Sequence, residues 1–459
     1  MFGNLIYNSR TAKTVLIHAD HRRRDAASAL LIASYLKELG YNTVIGSRVT
    51  TKYLYYKYMP ELVLLTHPNV VFTAKEISYV SSKSILILMH SESAGVNKGA
   101  MLDAMRGGCE SIGDSYTKHF SKVLTWGPNL KDWIVDAGLY REDQVAVVGN
   151  PRYDFYLNKE SNKSNVIGCM PLFVGISSFD NRNRFQMLNE GRGKGGEAYF
   201  GEKGGYEDWI WTSAAYVRIY LEFLDKWCLE LKNDVNLRPY TLENIDDYSF
   251  FLDRYGKHVN IDAKTPFPEW VRGVGVNIFC STSTIIESAI SGTPYITVQE
   301  ILGDRLEYHQ PREEMTDSRS EDVYKFTYRP KSVDELVDLA LKASKGELYP
   351  CIDLERHGEL KDTLWKRYGW PQEKPSSSIV AGIIDELLES KARNGRGSHL
   401  SLVVNIERAK FIYRFGRSVL RKQTTTFNDY NFMFWHNMEK SYVKVEFEGL
   451  KKYNKNLSS

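Results

Sequence analysis

The sequence is poor in several features that announce function early. Its five cysteines, Cys109, Cys169, Cys228, Cys280 and Cys351, are scattered and form no CxxC pair. That argues against a zinc site and a disulfide framework, and fits a reducing cytoplasm. No run of about 18 apolar residues occurs, so no membrane-spanning helix is expected. The N-terminal stretch MFGNLIYNSRTAK lacks an adequate signal-peptide core. There is no GKS or GKT sequence, which excludes a P-loop of the usual kind. The letters GxGxxG occur at Gly191, Gly193 and Gly196, within the Gly- and Lys-rich stretch Gly191–Gly205. They do not sit directly between a strand and its helix, so they make no dinucleotide fingerprint. A mobile loop and a plain surface insertion are equally good readings of that stretch. The net charge is only +3, although residues 391–459 carry 14 basic and 5 acidic side chains. Any anionic partner is therefore sought at the tail.

What remains is a globular composition: 42% hydrophobic and 25% charged residues over 459 positions, enough for two or three domains. Short apolar runs alternate with helical patterns. Thr14–Ala19 reads as a buried strand, followed by the charged turn Asp20–Asp25 and a helix over Ala26–Leu39 that stops at Gly40. Asn42–Gly46, Glu61–Leu65, Val70–Thr73, Ser84–Met89, Lys122–Thr125 and Gln144–Val148 continue the style. A second series follows: Leu172–Ser177, the helical Ser213–Leu231, Asn236–Pro239, Val274–Phe279, the helix Thr284–Ser291 and Tyr295–Val298. Val333–Ala343 and Ser376–Glu389 are amphipathic helices. The predicted fold class is α/β, with two Rossmann-like domains facing each other across a cleft and a basic C-terminal helical tail. The expected domains are 1–160, 161–375, a crossover helix 376–394 and the tail 395–459.

In such sheets ligands sit beyond the carboxyl ends of strands. The strand Val274–Phe279 runs into Cys280-Ser281-Thr282-Ser283-Thr284 and then a helix containing Glu287. The first amides of a helix point outward with partial positive charge, and a hydroxyl cluster there suits a diphosphate or phosphodiester without a metal. Four consecutive hydroxyl residues exceed what one N-cap needs. Glu287, one turn in, is placed to accept from ribose hydroxyls. Arg238, at the end of Asn236–Pro239, is a candidate for the departing phosphate. Asp180 and Arg182 follow the first strand of the second domain; a solvated polar turn is an equal alternative. In the first domain, Glu92 after Ser84–Met89 is a candidate base for an acceptor hydroxyl, with His90 as its rival and Asp20 a weaker candidate. Gly149-Asn150-Pro151 reads as a rigid turn, with Arg152 a possible ligand contact.

Three motifs, GNPRYD at Gly149–Asp154, LRPYTLEN at Leu237–Asn244 and STSTIIESAISGTPYITV at Ser281–Val298, occur in this order. Over roughly residues 10–390 the chain resembles bacterial surface-carbohydrate biosynthesis proteins, GT-B enzymes that include capsule and lipopolysaccharide Kdo transferases. Where many members carry Arg-Pro-His-Pro, this chain has Arg238-Pro239-Tyr240-Thr241. The resemblance implies a GT-B fold, a nucleotide-sugar donor such as CMP-Kdo in the second domain, and no essential metal or further cofactor. The expected function is sugar transfer to a surface polysaccharide or lipopolysaccharide, with Glu92 as base if the reaction inverts and Asp180 against the anomeric carbon if it retains. The alternatives are polyol-phosphate transfer of the teichoic-acid type, a sugar-nucleotide epimerase and a non-catalytic assembly scaffold.

In the tail, residues 399–423 place Leu402, Ile406, Tyr413 and Leu420 among Arg408, Arg414, Arg417, Arg421 and Lys422. This is the pattern of a basic interfacial helix, suited to the inner face of the cytoplasmic membrane. A helix packed on the protein is the alternative. No nucleic-acid-binding pattern is recognisable.

Overall fold

The computed structural model describes residues 4–6, 13–20, 22–48, 50–68, 70–90, 98–106, 116–157, 164–171, 173, 205–240, 243–280, 284–303, 321–351 and 356–390. The chain divides into two compact units, one made of Met1–Asn158 with Asp362–Ser459 and the other of Lys159–Lys361. Each is an α/β unit with its own sheet, as the alternating pattern requires.

Among the described residues the first unit holds seven strands: β1 (Asn4–Ile6), β2 (Thr14–His18), β3 (Asn42–Gly46), β4 (Leu62–Leu65), β5 (Ile85–Met89), β6 (Lys122–Thr125) and β7 (Val145–Val147). Their order is β1-β3-β2-β4-β5-β6-β7. β1 runs antiparallel to β3, and the other pairs are parallel. The apolar runs are uninterrupted because helices cover both faces: β3, β4 and β5 are buried at every position. From β2 the chain steps to β3 on one side, and β4 returns to the other side. The strand order therefore reverses between β2 and β4.

Local signals set the helix ends. The Arg22–Glu38 helix stops at Gly40, whose φ of +91° lets its amide and that of Tyr41 fold back onto Lys37 O and Leu36 O. Val70–Thr73, expected as a strand, forms none. Thr73 instead caps the Ala74–Lys83 helix, bonding Glu76 N while the Glu76 side chain returns to Thr73 N. Val71 and Phe72 are buried, and Phe72 O accepts from the Tyr116 hydroxyl at 3.2 Å.

The second unit has the order β10-β9-β8-β11-β12, all parallel, with β8 (Ile167–Met170), β9 (Val235–Leu237), β10 (Val259–Ile261), β11 (Val276–Phe279) and β12 (Tyr295–Thr297). Here the order reverses between β8 and β11. The predicted Ser213–Leu231 helix begins earlier, at Gly205, because Ile210 extends the buried face of Tyr216, Ile219 and Tyr220. It ends in a π-helical stretch, Asp225–Glu230. β1, β8 and β10 have no counterpart among the expected strands; of the expected Leu172–Ser177 only Phe173 is among the described residues, and it lies in no strand.

The Ser376–Ser390 helix belongs to the first unit and packs along the Arg22–Glu38 helix. Its start is fixed by buried Asp154, whose carboxylate accepts from Ser376 N (2.7 Å), Ser377 N (2.8 Å) and Ser377 Oγ (2.5 Å). Gly149 and Gly369 permit the close approach. Each has a positive φ, and a Cβ on Gly149 would lie 2.4 Å from Ser376 Oγ, one on Gly369 2.0 Å from Trp126 O. Tyr153 sits edge-on between the rings of Trp126 and Trp370. GNPRYD is thus a buried clasp for the returning chain. Among the described residues no helix is long and apolar enough to cross a membrane.

Candidate functional site

Each sheet has one place where ligands are expected, the carboxyl edge beside its reversal of strand order. The two places are built from different chemistry.

In the second unit, β11 runs into Cys280, whose buried carbonyl accepts from Thr297 Oγ1 at 2.8 Å. The Thr284–Ser291 helix follows, with Thr284 first and Glu287 one turn in and buried. Ser281, Thr282 and Ser283 lie outside the described residues. The helix is held firmly from behind. Asn277 Nδ2 on β11 donates to Ser288 Oγ at 2.9 Å, and Thr293 Oγ1 donates to Val271 O at 2.7 Å. Gly292, with φ +68°, turns the chain back into β12. A helix start seated this way presents fixed amides at the β8/β11 edge, which suits an anion.

Arg238 follows β9, one strand away from that edge. Its guanidinium lies 5.5 Å from the ring centroids of both Phe267 and Trp270, and Nη1 donates to Asp262 O at 3.3 Å. These contacts turn it to the β10 side. The glutamate of the same motif does work that the sequence reading did not assign. Buried Glu243 accepts from Phe173 N, from Tyr240 N at 2.8 Å and from the Tyr248 hydroxyl. It ties the loop after β9 to the chain leaving β8. Burial pushes its carboxyl up to about 7 despite these bonds. Asp180 and Arg182 lie outside the described residues.

In the first unit, Asp20, just past β2, is the centre of a polar cluster. Arg48 Nε, after β3, lies 3.1 Å from Asp20 Oδ1. His18 Nε2, at the end of β2, lies 3.9 Å from Oδ1, and His67 Nε2, after β4, lies 3.7 Å from Oδ2. The His67 ring meets the His90 ring edge to face, with centroids 4.6 Å apart. His18, Asp20 and His90 are buried, and His67 keeps a small exposed area. His18 Nδ1 receives the Thr66 hydroxyl at 2.7 Å and faces the Thr66 amide at 3.4 Å. Burial pushes the His18 pKa down to about 4, so it is neutral at neutral pH. Asp20 and His90 were expected at strand ends. His18, Arg48 and His67 were missed, although each follows an apolar strand closely enough for the same rule to find it.

Arg152 does not join that cluster through its described contacts. Its Nη2 pairs with Asp25 Oδ1 at 3.5 Å, and its guanidinium lies 6.0 Å from the Trp126 ring. Glu92 and residues 391–459, including the basic stretch 399–423, lie outside the described residues. Among the described residues no group of His, Cys, Asp and Glu is arranged to hold a metal ion.

No protein-family model matches the sequence, and no curated protein matches it. Solved structures do resemble the fold. Two variants of the wall teichoic acid polymerase TagF share 13% and 12% of residues, with TM-scores of 0.52 and 0.50; each match covers 83% of this chain and 90% of that one. The UDP-GlcNAc 2-epimerase from Methanocaldococcus jannaschii, solved with UDP-GlcNAc and UDP, is 11% identical, covering 82% of this chain and 100% of that one, with a TM-score of 0.45. At these identities the TagF likeness establishes architecture alone: two Rossmann-type units of the GT-B-like kind.

Proposed function

We propose that the chain is a metal-independent glycosyltransferase that moves a sugar from a nucleotide donor to a cell-surface polysaccharide or lipopolysaccharide. The observation that carries this reading is the buttressed start of the Thr284–Ser291 helix beside the β8/β11 reversal. Its amides and the hydroxyls of Ser281, Thr282, Ser283 and Thr284 receive the donor phosphate, and Glu287 receives ribose hydroxyls. Arg238, which donates to Asp262 O and lies by the rings of Phe267 and Trp270, assists with the departing phosphate. CMP-Kdo, the donor suggested by the sequence motifs, is the first to try. A thermal-shift series with CMP, CDP, UDP and GDP tests the reading. A nucleotide at 100 times its Kd stabilises the fold by about 2.7 kcal/mol, and only the matching base should do so. No shift with any of the four would defeat the proposal.

A second reading, transfer of a polyol phosphate, draws on the Pro151-Arg152 turn and the Arg238-Pro239 strand end. The product separates the two. Donor phosphorus appears in the acceptor if a polyol phosphate moves, and stays with the nucleotide if a sugar moves. For the basic stretch 399–423 we propose contact with an anionic membrane surface. Removal of 395–459 should abolish binding to anionic liposomes; unchanged binding refutes that contact.

A further inference from the structure

In the second unit one buried carboxyl holds both the loop after β9 and the chain leaving β8. Glu243 Oε1 accepts from Phe173 N, and Oε2 accepts from Tyr240 N at 2.8 Å and from the Tyr248 hydroxyl. Tyr248 stands between two acceptors, because its oxygen also lies 3.5 Å from Pro171 O. The second acceptor lets the pair take up a proton without stranding a polar hydrogen. With a proton on Oε2, Glu243 donates to the Tyr248 oxygen, the Tyr248 hydroxyl turns to Pro171 O, and both amides keep an oxygen to bond. The ionised form instead keeps a full charge buried beside the packed rings of Phe173, Tyr248 and Phe251. Burial raises the carboxyl to about 7, and the charge of Asp247 acts in the same direction. The neutral pair is therefore the tighter brace, and the brace loosens as pH rises through about 7.

The brace reaches the ligand edge of the second sheet by two routes. Tyr240 closes the turn that begins at Arg238. Phe173 meets the Tyr220 ring edge to face, with centroids 6.0 Å apart. The Tyr220 hydroxyl donates to Ile278 O on β11 at 3.3 Å and receives the Cys280 thiol at 3.9 Å. β11 and Cys280 lead to the Thr284–Ser291 helix beside the β8/β11 reversal.

We propose that Glu243 is a positioning residue of the donor site and acts as a neutral carboxyl, with Tyr248 accepting its hydrogen bond. Protonated, it holds the Arg238–Tyr240 turn and the Phe173–Tyr220 contact in the arrangement that grips the donor phosphate. Ionised, it releases them. The effect on donor binding rests on the function proposed above; the brace itself does not. Among the described residues, the titratable groups that face the pair are Asp247 on its own turn, Cys280 after β11, Tyr220 through Phe173 and Tyr255 through Phe251.

The test uses the full chain and two readouts. In the first, exchange of the Phe173 and Tyr240 amides is followed against pH and corrected for the intrinsic pH dependence of exchange. In wild type, opening should rise about tenfold between pH 6 and 8; in Glu243→Gln it should not change with pH. The same pH dependence in both overturns the brace. Tyr248→Phe keeps the buried ring and removes only the hydroxyl. It should open the same amides about tenfold at pH 6, and unchanged protection there overturns the role of Tyr248. In the second readout, affinities for CMP, CDP, UDP and GDP are measured at pH 6 and 8. The nucleotide that binds should weaken about fivefold at pH 8 in wild type relative to Glu243→Gln. Equal pH dependence in the two proteins overturns the link to the donor site and leaves the function standing. If wild type binds none of the four nucleotides, the function falls and the link with it, and amide exchange still decides the brace.

Discussion

The two sheets differ in strand order, but each reverses that order once and uses the reversal differently. Beside the β2/β4 reversal the first unit places three histidines, an aspartate and an arginine. Beside the β8/β11 reversal the second unit places a helix start, a threonine and a buried glutamate, braced by Asn277, Ser288 and Thr293. The first set offers imidazoles, a carboxylate and a guanidinium; the second offers fixed dipoles and hydroxyls that suit an anion. A reversal of strand order thus says where a site is placed, and the side chains at strand ends say what it does.

Four measurements would break or sharpen this contrast. The largest effect is expected from Asp154→Ala, which strips the acceptor from Ser376 N, Ser377 N and Ser377 Oγ. Buried donors left without partners cost about 1–3 kcal/mol each, so a loss of about 3–5 kcal/mol is expected. In urea unfolding it should fall on the transition of the first unit. A matching shift of the second unit's transition would show that the two do not unfold separately.

The next effect is a difference in pH dependence, on the order of 3 kcal/mol. Glu243 in the second unit is raised from 4.5 to about 7. Its contribution is full below the unfolded value and lost as pH rises through 7. Asp154 in the first unit, raised from 3.8 to about 7, behaves the same way. His18, lowered from 6.5 to about 4, has the opposite sign: its contribution is present above 6.5 and lost as pH falls toward 4. Between pH 5 and 7 the first unit should therefore change little, while the second weakens with rising pH. Glu243→Gln should flatten the second curve, and a slope in the first unit as steep as in the second would contradict the opposition of His18 and Asp154.

A smaller change is expected from Glu287→Gln. Nucleotide binding should weaken about tenfold, or about 1.4 kcal/mol, with the urea transition of the first unit unmoved. Movement of that transition would blur the division of labour. Thr73→Ala is the control. It removes the helix cap, should cost about 1 kcal/mol in the first unit, and should leave nucleotide binding unaltered.

Most of the longer strands and helices were readable because each is local, whereas the short strands β1, β8 and β10 were not. TVLIH and ILILM are uninterrupted apolar runs, and Gly40 ends a helix by itself. The Glu243 anchor and the His67–Asp20 pair were not readable for the opposite reason. Glu243 meets the chain leaving β8 at Phe173, and His18, His67 and His90 each stand alone after a different strand until parallel pairing aligns β2, β4 and β5. The Arg238 side chain shows the same limit. Its partners Phe267 and Trp270 belong to a later helix, and nothing in LRPYTLEN announces them.

The clasp at Asp154 also has a consequence for biosynthesis. Its partners Ser376 and Ser377 are translated more than two hundred residues after it. Residues 159–361 are complete on the ribosome before the first unit has all its chain. The unit that begins first is the one that finishes last. During that interval the Arg22–Glu38 helix lacks the Ser376–Ser390 helix that packs along it, and its apolar face is open to chaperones or to aggregation.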